Sequence, residues 1–324
     1  MKKTILTLLV ALMATVAVKA QQISVVSSEG NTTLYKTLQE AIEGADPSSV
    51  IYLPGGGFPI SDDVKITKKL TIIGIGHKIQ TENPDGYTTI SGNLIFNQGS
   101  DGSAVMGCYF TGGIYIGQDN SEVDDVLIRC NNMANVNVCN GSCKGTNVNQ
   151  NYIRDGAAFS TSPSRFTNNI VSWIHDLDNG FISNNIITSH HNDYYDSPRN
   201  AAMKKCDQTS ITNNIILSSE IHSGGNCSAS GNMCLQNWGD EYINVNKEGF
   251  KWEDVFKEYK GITPTSDFHF KEEYAENEGK VGIYHGTFNN DQLAPVPYIV
   301  AKSIPEQTDA SGKLNIKIRV KAGE

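Results

Sequence analysis

The chain has 324 residues, with 26 Lys and Arg against 35 Asp and Glu, so its net charge is −9 at pH 7. Its basic residues never run longer than a pair, whereas neutralising nucleic-acid phosphates needs clustered Lys and Arg. The composition therefore argues against a nucleic-acid partner, and any anionic ligand would need a local basic patch.

The first 20 residues are typical of a secretory signal peptide. Lys2 and Lys3 form a basic start, an apolar stretch runs from Ile5 to Val18, and Val18-Lys19-Ala20 resembles a small-residue cleavage site. We predict a signal peptide over 1–20, a mature chain from Gln21, and a secreted or periplasmic location. After cleavage no membrane span is expected, and a retained N-terminal anchor is the alternative.

Short strands and one helix are predicted next. A first strand lies within Gln21–Ser28, and apolar residues from Leu34 to Ala45 recur with helical spacing. Further strands are predicted at 50–53, 64–66 and 70–74. Such a helix could cover the open end of a stack of strands, where backbone groups and apolar core would otherwise be exposed.

A repeated phrase dominates the region from Arg129 to Trp238. Its anchor is an Asn followed by an apolar residue, at Asn132, Asn151, Asn169, Asn185, Asn214 and Asn232. The steps between anchors are 19, 18, 16, 29 and 18 residues, and a period near 20 is typical of a solenoid. The long step contains an insertion, 190–200, that is rich in Asn, Asp, Tyr and Pro.

The phrase suggests strands that end, turn at a polar corner and begin again. Apolar residues stand three positions before most anchors, Arg129 being the exception, and one position after every anchor. We predict that both flanking side chains point inward. Asn tolerates the left-handed backbone of a tight corner, and stacked Asn amides can hydrogen-bond from one coil to the next as a ladder.

The anchor phrase does not fit a leucine-rich repeat, because L-x-x-L-x-L is missing before the Asn. Instead, Leu38–Ile42, Ile51–Gly56 and Lys69–Gly74 resemble the N-terminal cap and first coils of pectin lyase-like right-handed β-helix proteins. The resemblance covers about residues 34–240. It implies an all-β, right-handed parallel β-helix solenoid with an N-terminal capping helix. That fold hosts lyases, hydrolases, epimerases, phage tailspikes, adhesins and non-enzymes, so it does not fix a function.

The predicted organisation is a signal peptide (1–20), a capped solenoid (21–240) and a closing coil with an extended tail (241–324). Within the last part, a short helix is predicted in 249–260, and the stretch 265–270, followed by 282–286, resembles the closing coil of secreted bacterial β-helix proteins. A final strand in 314–320 alternates apolar and polar residues, which predicts one buried and one solvated side.

Candidate site residues follow from counting past each anchor. His175, His191 and Glu220 lie six residues after an anchor, Asp193 and His222 lie eight after, and Asp176 adjoins His175. Close His and carboxylate groups can act as general acid and base, and Asp176 and Asp193 could bind a divalent ion. The sequence leaves the cofactor open, with calcium as one candidate. The alternative is that these are solvated corner residues in register by chance.

A second set of candidates surrounds the insertion. Lys204 resembles, by rough position only, the Lys that some β-helix polysaccharide lyases use as a base. Those enzymes place an Arg on a neighbouring coil, whereas here the next coil offers His222. Arg199, Tyr194, Tyr195 and Trp173 are candidate substrate-binding residues, because rings can stack on sugars. Alternatively, Lys204 is an ordinary surface residue and Trp173 belongs to the core.

Two functions remain open from the sequence. The first is binding or cleavage of a polysaccharide on the outer face near the insertion; an enzyme of this kind would be a polysaccharide lyase or a glycoside hydrolase. The second is a non-catalytic surface or structural module that docks another protein.

The seven Cys are an odd number. This number is consistent with a disulfide between Cys139 and Cys143, with one between Cys227 and Cys234, or with buried reduced thiols.

Overall fold

A computed structural model describes residues 22–60, 63–77, 86–188, 202–217, 221–222, 225–234, 242–244, 254–285, 298–303, 307, 311–313 and 316–321. Strands account for 42% of the residues and helices for 9%, and the strands form long parallel sheets. The all-β prediction is therefore confirmed. None of the helices in these ranges is long and apolar enough to cross a membrane.

The parallel strands of the described ranges fall into three rows, which we call faces 1, 2 and 3. Face 1 contains Ser49–Tyr52, Leu70–Ile73, Ala104–Met106, Leu127–Arg129, Asn147–Asn149, Arg165–Thr167, Phe181–Ser183, Ser210–Thr212 and Ser228–Ser230. Face 2 contains Gly56–Pro59, Thr88–Ser91, Tyr109–Phe110, Asn132–Met133, Ile186–Ile187, Ile215–Ile216, Asn232–Cys234 and Tyr242–Asn244. Face 3 contains Val64–Ile66, Leu94–Phe96, Ile114–Ile116, Val136–Val138, Met203–Lys204 and Ile221–His222. Two longer strands, Tyr152–Ala158 and Ile170–His175, run through both face 2 and face 3.

The chain visits face 1, face 2 and face 3 in turn, and we call one such circuit a coil. Each strand pairs in parallel with its equivalent one coil later, as Ile128 does with Val148 and Val148 with Phe166. The inward side chains form one continuous apolar core from Ile23 to Cys234. Strands at 49–52, 64–66 and 70–73 agree with the predictions for this part of the sequence.

The first coil is covered by a helix and an antiparallel hairpin. Strands Ile23–Val26 and Thr32–Tyr35 pair with each other, and the first also pairs with Ser49–Tyr52. The α-helix covers Leu38–Gly44 and buries Leu38, Ala41 and Ile42. It is shorter than predicted, because Thr37 and Glu40 form a capping box that begins it at Leu38. Leu34 instead lies in the hairpin and is exposed.

A ladder of buried Asn side chains runs along the corner between faces 1 and 2. Its members are Asn131, Asn151, Asn169, Asn185, Asn214 and Asn232, none of which exposes surface to solvent. Each Oδ1 after the first accepts the backbone N–H of the preceding ladder Asn, at 2.8 to 3.0 Å. Each Nδ2 before the last donates to the next Oδ1 at 2.9 to 3.3 Å. The predicted ladder is present, but its first member is Asn131 and not Asn132.

Moving the first anchor to Asn131 restores the apolar residue three positions before it, although polar Asn132 then stands one position after it. Ile128, and not Arg129, then stands three positions before it, in register with Val148. The left-handed residue of each corner is the one before the ladder Asn. These residues are Cys130, Gln150, Asn168, Asn184, Asn213 and Gly231, with φ between 54° and 66°. At each corner, therefore, one residue turns the chain with its left-handed backbone, and the following Asn forms the hydrogen bonds between coils.

The residues directly after the ladder Asn point outward, contrary to the prediction. Tyr152, Ile170, Ile186, Ile215 and Met233 belong to a second apolar core, whereas the next residue in each coil, such as Ile153, belongs to the main core. Residues 254–285, which we call the lateral segment, cover this outward column with Val255, Phe256, Phe268, Phe270 and Ile283. The column is buried because the chain returns to cover it.

The lateral segment differs from its predicted form. Phe256–Glu258 is a strand and not part of a helix, and it pairs antiparallel with Asp267–Phe270. The Phe256 ring packs on Phe268, 5.3 Å between centroids, which favours the hairpin over a helix. Of the two stretches predicted to form a closing coil, 265–270 contains the hairpin strand Asp267–Phe270 and 282–286 begins with a 3₁₀ turn, Gly282–Tyr284. A second 3₁₀ turn, Glu272–Asn277, lies between them, and both stretches contribute to the apolar cluster on face 2. A further 3₁₀ turn, Gln118–Asn120, lies between coils.

The prediction for the tail strand is also corrected by the structure. Lys317–Lys321 pairs antiparallel with Tyr298–Ser303, but its apolar residues Ile316, Ile318 and Val320 are 49%, 54% and 56% exposed. The alternation is present without the predicted buried side, because no described residue covers that side of the hairpin. The predicted domain boundaries at 20 and 240 lie outside the described residues.

The ladder predicts a large stability difference between two Asn residues on adjacent coils. Asn169→Ala removes the acceptor for the Asn151 backbone N–H and the donor to Val148 O, so we expect a loss of about 2–4 kcal/mol. Asn149→Ala removes a half-buried bond to Thr167 on the outer side of face 1 and should cost about 1 kcal/mol or less. Urea unfolding of both variants measures the difference. Equal losses would contradict a ladder that holds the coils in register.

Candidate functional site

A column of polar side chains crosses adjacent coils on the outer side of face 3. The strand register places Ala158 beside His175, His175 beside Lys204, and Lys204 beside His222. Neighbouring strands in a sheet lie about 4.8 Å apart, so these residues occupy successive positions in one line. His175 and Lys204 are half-buried. We call Trp173, His175, Lys204 and His222 the face 3 column.

Strand alternation explains why these side chains point outward. In Ile170–His175, Ile174 is buried in the main core, so Trp173 and His175 on either side of it lie on the outer surface. Met203 is buried next to Ile174, which turns Lys204 outward in the following coil. The apolar residue at the centre of each strand thus fixes the direction of its polar neighbours.

The Trp173 ring packs against the backbone of Gly156 in the preceding coil. Gly156 is its register partner, and a Cβ at Gly156 would collide with the Cδ2 and Cε2 atoms of the indole ring. The Trp173 and His175 ring centroids are 4.4 Å apart with an interplanar angle of 31°. The glycine therefore makes room for a half-buried ring on the outer surface, and the alternative of a core Trp is not what the structure shows.

A sharp corner with charged residues follows the column. Asp176 and Lys205 directly follow His175 and Lys204, and both adopt left-handed backbone, with φ of 55° and 49°. The Asp176 backbone N–H donates to Lys204 O at 2.9 Å, which holds the two corners side by side. Further along the corner, the Asp178 carboxylate accepts the Asp207 backbone N–H at 2.9 Å. Acidic side chains here serve as acceptors between coils.

No group of three metal-ligating side chains suited to an ion occurs within the described part of the chain. Asp176 is described, but Asp193, its proposed partner, lies outside the described residues. Metal binding at these two residues therefore stays a prediction.

The structure brings together a different set of candidates from the one obtained by counting. His175 adjoins Lys204 because the extra residues of the long step lie between Ile187 and Met203, before the next face 3 strand. His222 shares this column, although counting placed it with Asp193. Phe159 and Leu177, also eight residues past an anchor, are core residues. His191, Asp193, Tyr194, Tyr195, Arg199 and Glu220 lie outside the described residues, and only the backbone of His222 is described.

Sequence counting missed two features of the site. One is the pairing of His175 with Lys204; a count that treated the 29-residue step as an insertion before face 3 would have found it. The other is Gly156, whose role is visible only once the register places it beside Trp173. Tyr115 and Asn137 extend the same outer column toward the N-terminus and are half-buried.

Four of the seven cysteines are not activated nucleophiles. All seven thiols are free, and burial raises the pKa of Cys108, Cys206 and Cys234 to about 12 and that of Cys130 to about 11. Reactive cysteines have lowered pKa values and accessible thiolates. These four behave as small apolar core residues.

Comparisons with known proteins identify no relative. No protein-family profile matches the chain, no curated protein matches it, and no solved structure matches it.

We expect Gly156→Ala to displace Trp173 without unfolding the solenoid, at a cost of about 1–3 kcal/mol. ¹⁹F NMR of 5-fluorotryptophan-labelled protein should show a shifted Trp173 resonance, assigned by its loss in Trp173→Phe. Gly57→Ala is the matched control, because nothing lies within 4 Å of a Cβ added there. An unmoved resonance in Gly156→Ala would show that the ring does not rest on this backbone.

Alkylation should separate the thiols by burial. In native protein at about pH 8, exposed Cys139 should react first, whereas Cys108 and Cys206 stay unmodified because their raised pKa values leave almost no thiolate. Raising the pH increases the thiolate fraction but leaves the buried sulfurs inaccessible. After denaturation without reductant, mass spectrometry should count seven adducts. Fewer adducts would reveal a disulfide.

Proposed function

We propose that this chain is an exported right-handed parallel β-helix protein of the pectin lyase-like type, and that it binds an acidic polysaccharide across the face 3 column. The single observation that carries this proposal is the register of His175, Lys204 and His222 on adjacent coils, with Trp173 two residues before His175 on the same strand. The strand rows visited in turn and the Asn ladder support the β-helix assignment, together with the N-terminal resemblance.

The column combines the two kinds of contact that an acidic sugar needs. A half-buried indole ring offers an apolar face to the C–H groups of a sugar ring. The Lys204 ammonium can form a charge-assisted hydrogen bond with a sugar carboxylate. The half-buried His175 imidazole adds a donor or acceptor beside it, and the backbone register brings His222 next to Lys204. Lys204 would supply the local basic charge that the net charge of −9 makes necessary.

The linear arrangement suits a polymer. The coils repeat along the solenoid, so the outer side of face 3 presents a straight surface on which consecutive sugars could contact consecutive coils. The insertion at 190–200 enters the chain directly before Met203–Lys204, and its Tyr194, Tyr195 and Arg199 remain candidates for the same ligand.

The same groups would permit cleavage by elimination. Lys204 in its neutral form would take the proton α to the uronate carboxyl group, the bond from C4 to the leaving oxygen would break as the C4–C5 double bond forms, and a protonated His would deliver a proton to that oxygen. Lys204 and His222 are register neighbours, which is the observation that favours this second possibility. Its signature would be new unsaturated ends.

Binding and cleavage can be tested together with purified mature protein. Polygalacturonate, alginate and hyaluronan are the acidic probes, and xylan is the neutral one. We expect retention of at least one acidic polymer in affinity electrophoresis, weakened by salt and reduced roughly tenfold by Trp173→Ala or Lys204→Ala. The ultraviolet absorbance of unsaturated ends reports cleavage in the same samples.

Lys65→Ala is the matched control for Lys204→Ala. Lys65 lies on the outer side of face 3 in an early coil and forms an exposed ion pair with Asp119, 2.8 Å, so its loss should cost little. An equal loss of binding in both variants would point to nonspecific charge attraction and not to the face 3 column. If no acidic polymer is retained, the glycan proposal fails and the docking-module alternative gains support.

A further inference from the structure

A second concave site lies at the opposite end of the coil stack from the ladder's last Asn. It is a cleft of about 470 Å³ between the N-terminal hairpin and the turn that follows the helix. Polar side chains dominate its lining, with Ser27, Glu29, Thr33, Asp46 and Ser49 among them and Tyr35 forming one wall. We call it the cap cleft.

Ser49 carries an unusual feature at this site. Its side chain is fully buried, and its Oγ has no hydrogen-bond partner among the described residues. Buried hydroxyl groups are nearly always hydrogen-bonded, because leaving one unpaired costs about 1–3 kcal/mol. Ser49 is in the lining of the cap cleft, so a rotation of its side chain toward the cleft would let a ligand there provide the missing partner.

Two carboxylates stand in the same lining without a neutralising base. Glu29 makes a long contact with the Asn31 amide at 3.4 Å, and the Asp46 carboxylate has no ion pair or hydrogen bond to any described residue. Lys68 lies close by in space, but its ammonium donates to the carbonyls of Glu43 and Ala45 at 2.9 and 2.7 Å and not to either carboxylate. The cleft therefore disfavours anionic ligands.

The wall formed by Tyr35 depends on a glycine. The Tyr35 hydroxyl and ring lie where a Cβ of Gly44 would be, so the absence of a side chain at the end of the helix permits this ring position. Together with Val25 and Pro47 it supplies the apolar part of the lining. Small-molecule sites combine such surfaces with a few convergent polar groups and have volumes of about 300–1,000 Å³.

We propose that the cap cleft binds one or two non-anionic sugar residues. Carboxylates accept pairs of hydroxyl groups, Ser and Thr hydroxyls donate or accept as required, and the Tyr35 ring can contact a sugar C–H face. The volume is much larger than the coordination sphere of a single cation, which argues against an ion as the ligand. The inference does not rest on the face 3 proposal, since the two sites favour ligands of different charge.

Isothermal titration with cellobiose, xylobiose, maltose and mannobiose tests the cap cleft, with digalacturonate and calcium chloride as comparison probes. We expect at least one neutral disaccharide to bind, with roughly tenfold weaker binding in Asp46→Ala. Ser49→Ala should also weaken binding, yet without sugar its melting temperature should be equal or higher, because an unpaired buried hydroxyl has been removed. Glu43→Ala is the control: Glu43 lies on the helix that precedes the cleft and outside the cleft lining, so this variant should bind the disaccharide normally.

Three results would overturn the inference: no binding of any neutral disaccharide, unchanged binding in both Asp46→Ala and Ser49→Ala, or binding of calcium alone. Trp173→Ala separates this proposal from the previous one. It should weaken retention of acidic polymers roughly tenfold and leave the neutral disaccharide affinity unchanged. If wild-type protein retains an acidic polymer but binds no neutral disaccharide, only the cap cleft proposal fails; the reverse result overturns only the face 3 proposal.

Discussion

The hydrogen bond between one ladder Asn and the next is the constraint on which the rest of this structure depends. Each amide in the middle of the ladder bonds to the Asn of the coil before it, to the Asn of the coil after it and to a backbone carbonyl, as Asn169 does with Asn151, Asn185 and Val148. A buried amide without these partners would cost several kcal/mol, so each coil is stable only when its neighbours are correctly placed. At the N-terminal end Cys108 replaces Asn and donates its backbone N–H to Asn131 at 3.0 Å.

The same constraint determines what appears on the outer surfaces. With register fixed at one corner, residues at equal distances from it align on every face, and a shift of one residue would exchange core and surface. On face 2 this alignment produces an apolar outer column, which the lateral segment covers. On face 3 it produces the line of His175, Lys204 and His222, with Trp173 two residues before His175. Core, covered surface and candidate site thus share one cause.

The sequence predicted the repeat, the ladder and the strand-rich fold because Asn and its apolar neighbours recur at nearly constant spacing. It placed the first anchor one residue late at Cys130-Asn131-Asn132, where two adjacent Asn fit the pattern equally well and only the hydrogen bonds distinguish them. It also assigned Ile170 and Ile186 to the main core, because burial against the lateral segment leaves the same apolar signal as burial inside. The His175–Lys204 pairing was missed since insertions do not reveal where they enter the coil. Gly156 gave no signal until its partner Trp173 was known.

Hydrogen exchange of Asn side-chain amides, followed by NMR in D₂O, tests the ladder most directly. The account predicts that the Nδ2 protons of Asn131, Asn151, Asn169, Asn185, Asn214 and Asn232 exchange far more slowly than those of Asn149, which lies on the outer side of face 1. Protection of this one set would confirm the register that assembles the face 3 column. Rapid exchange of all Asn side chains, or protection of Asn132 in place of Asn131, would contradict it.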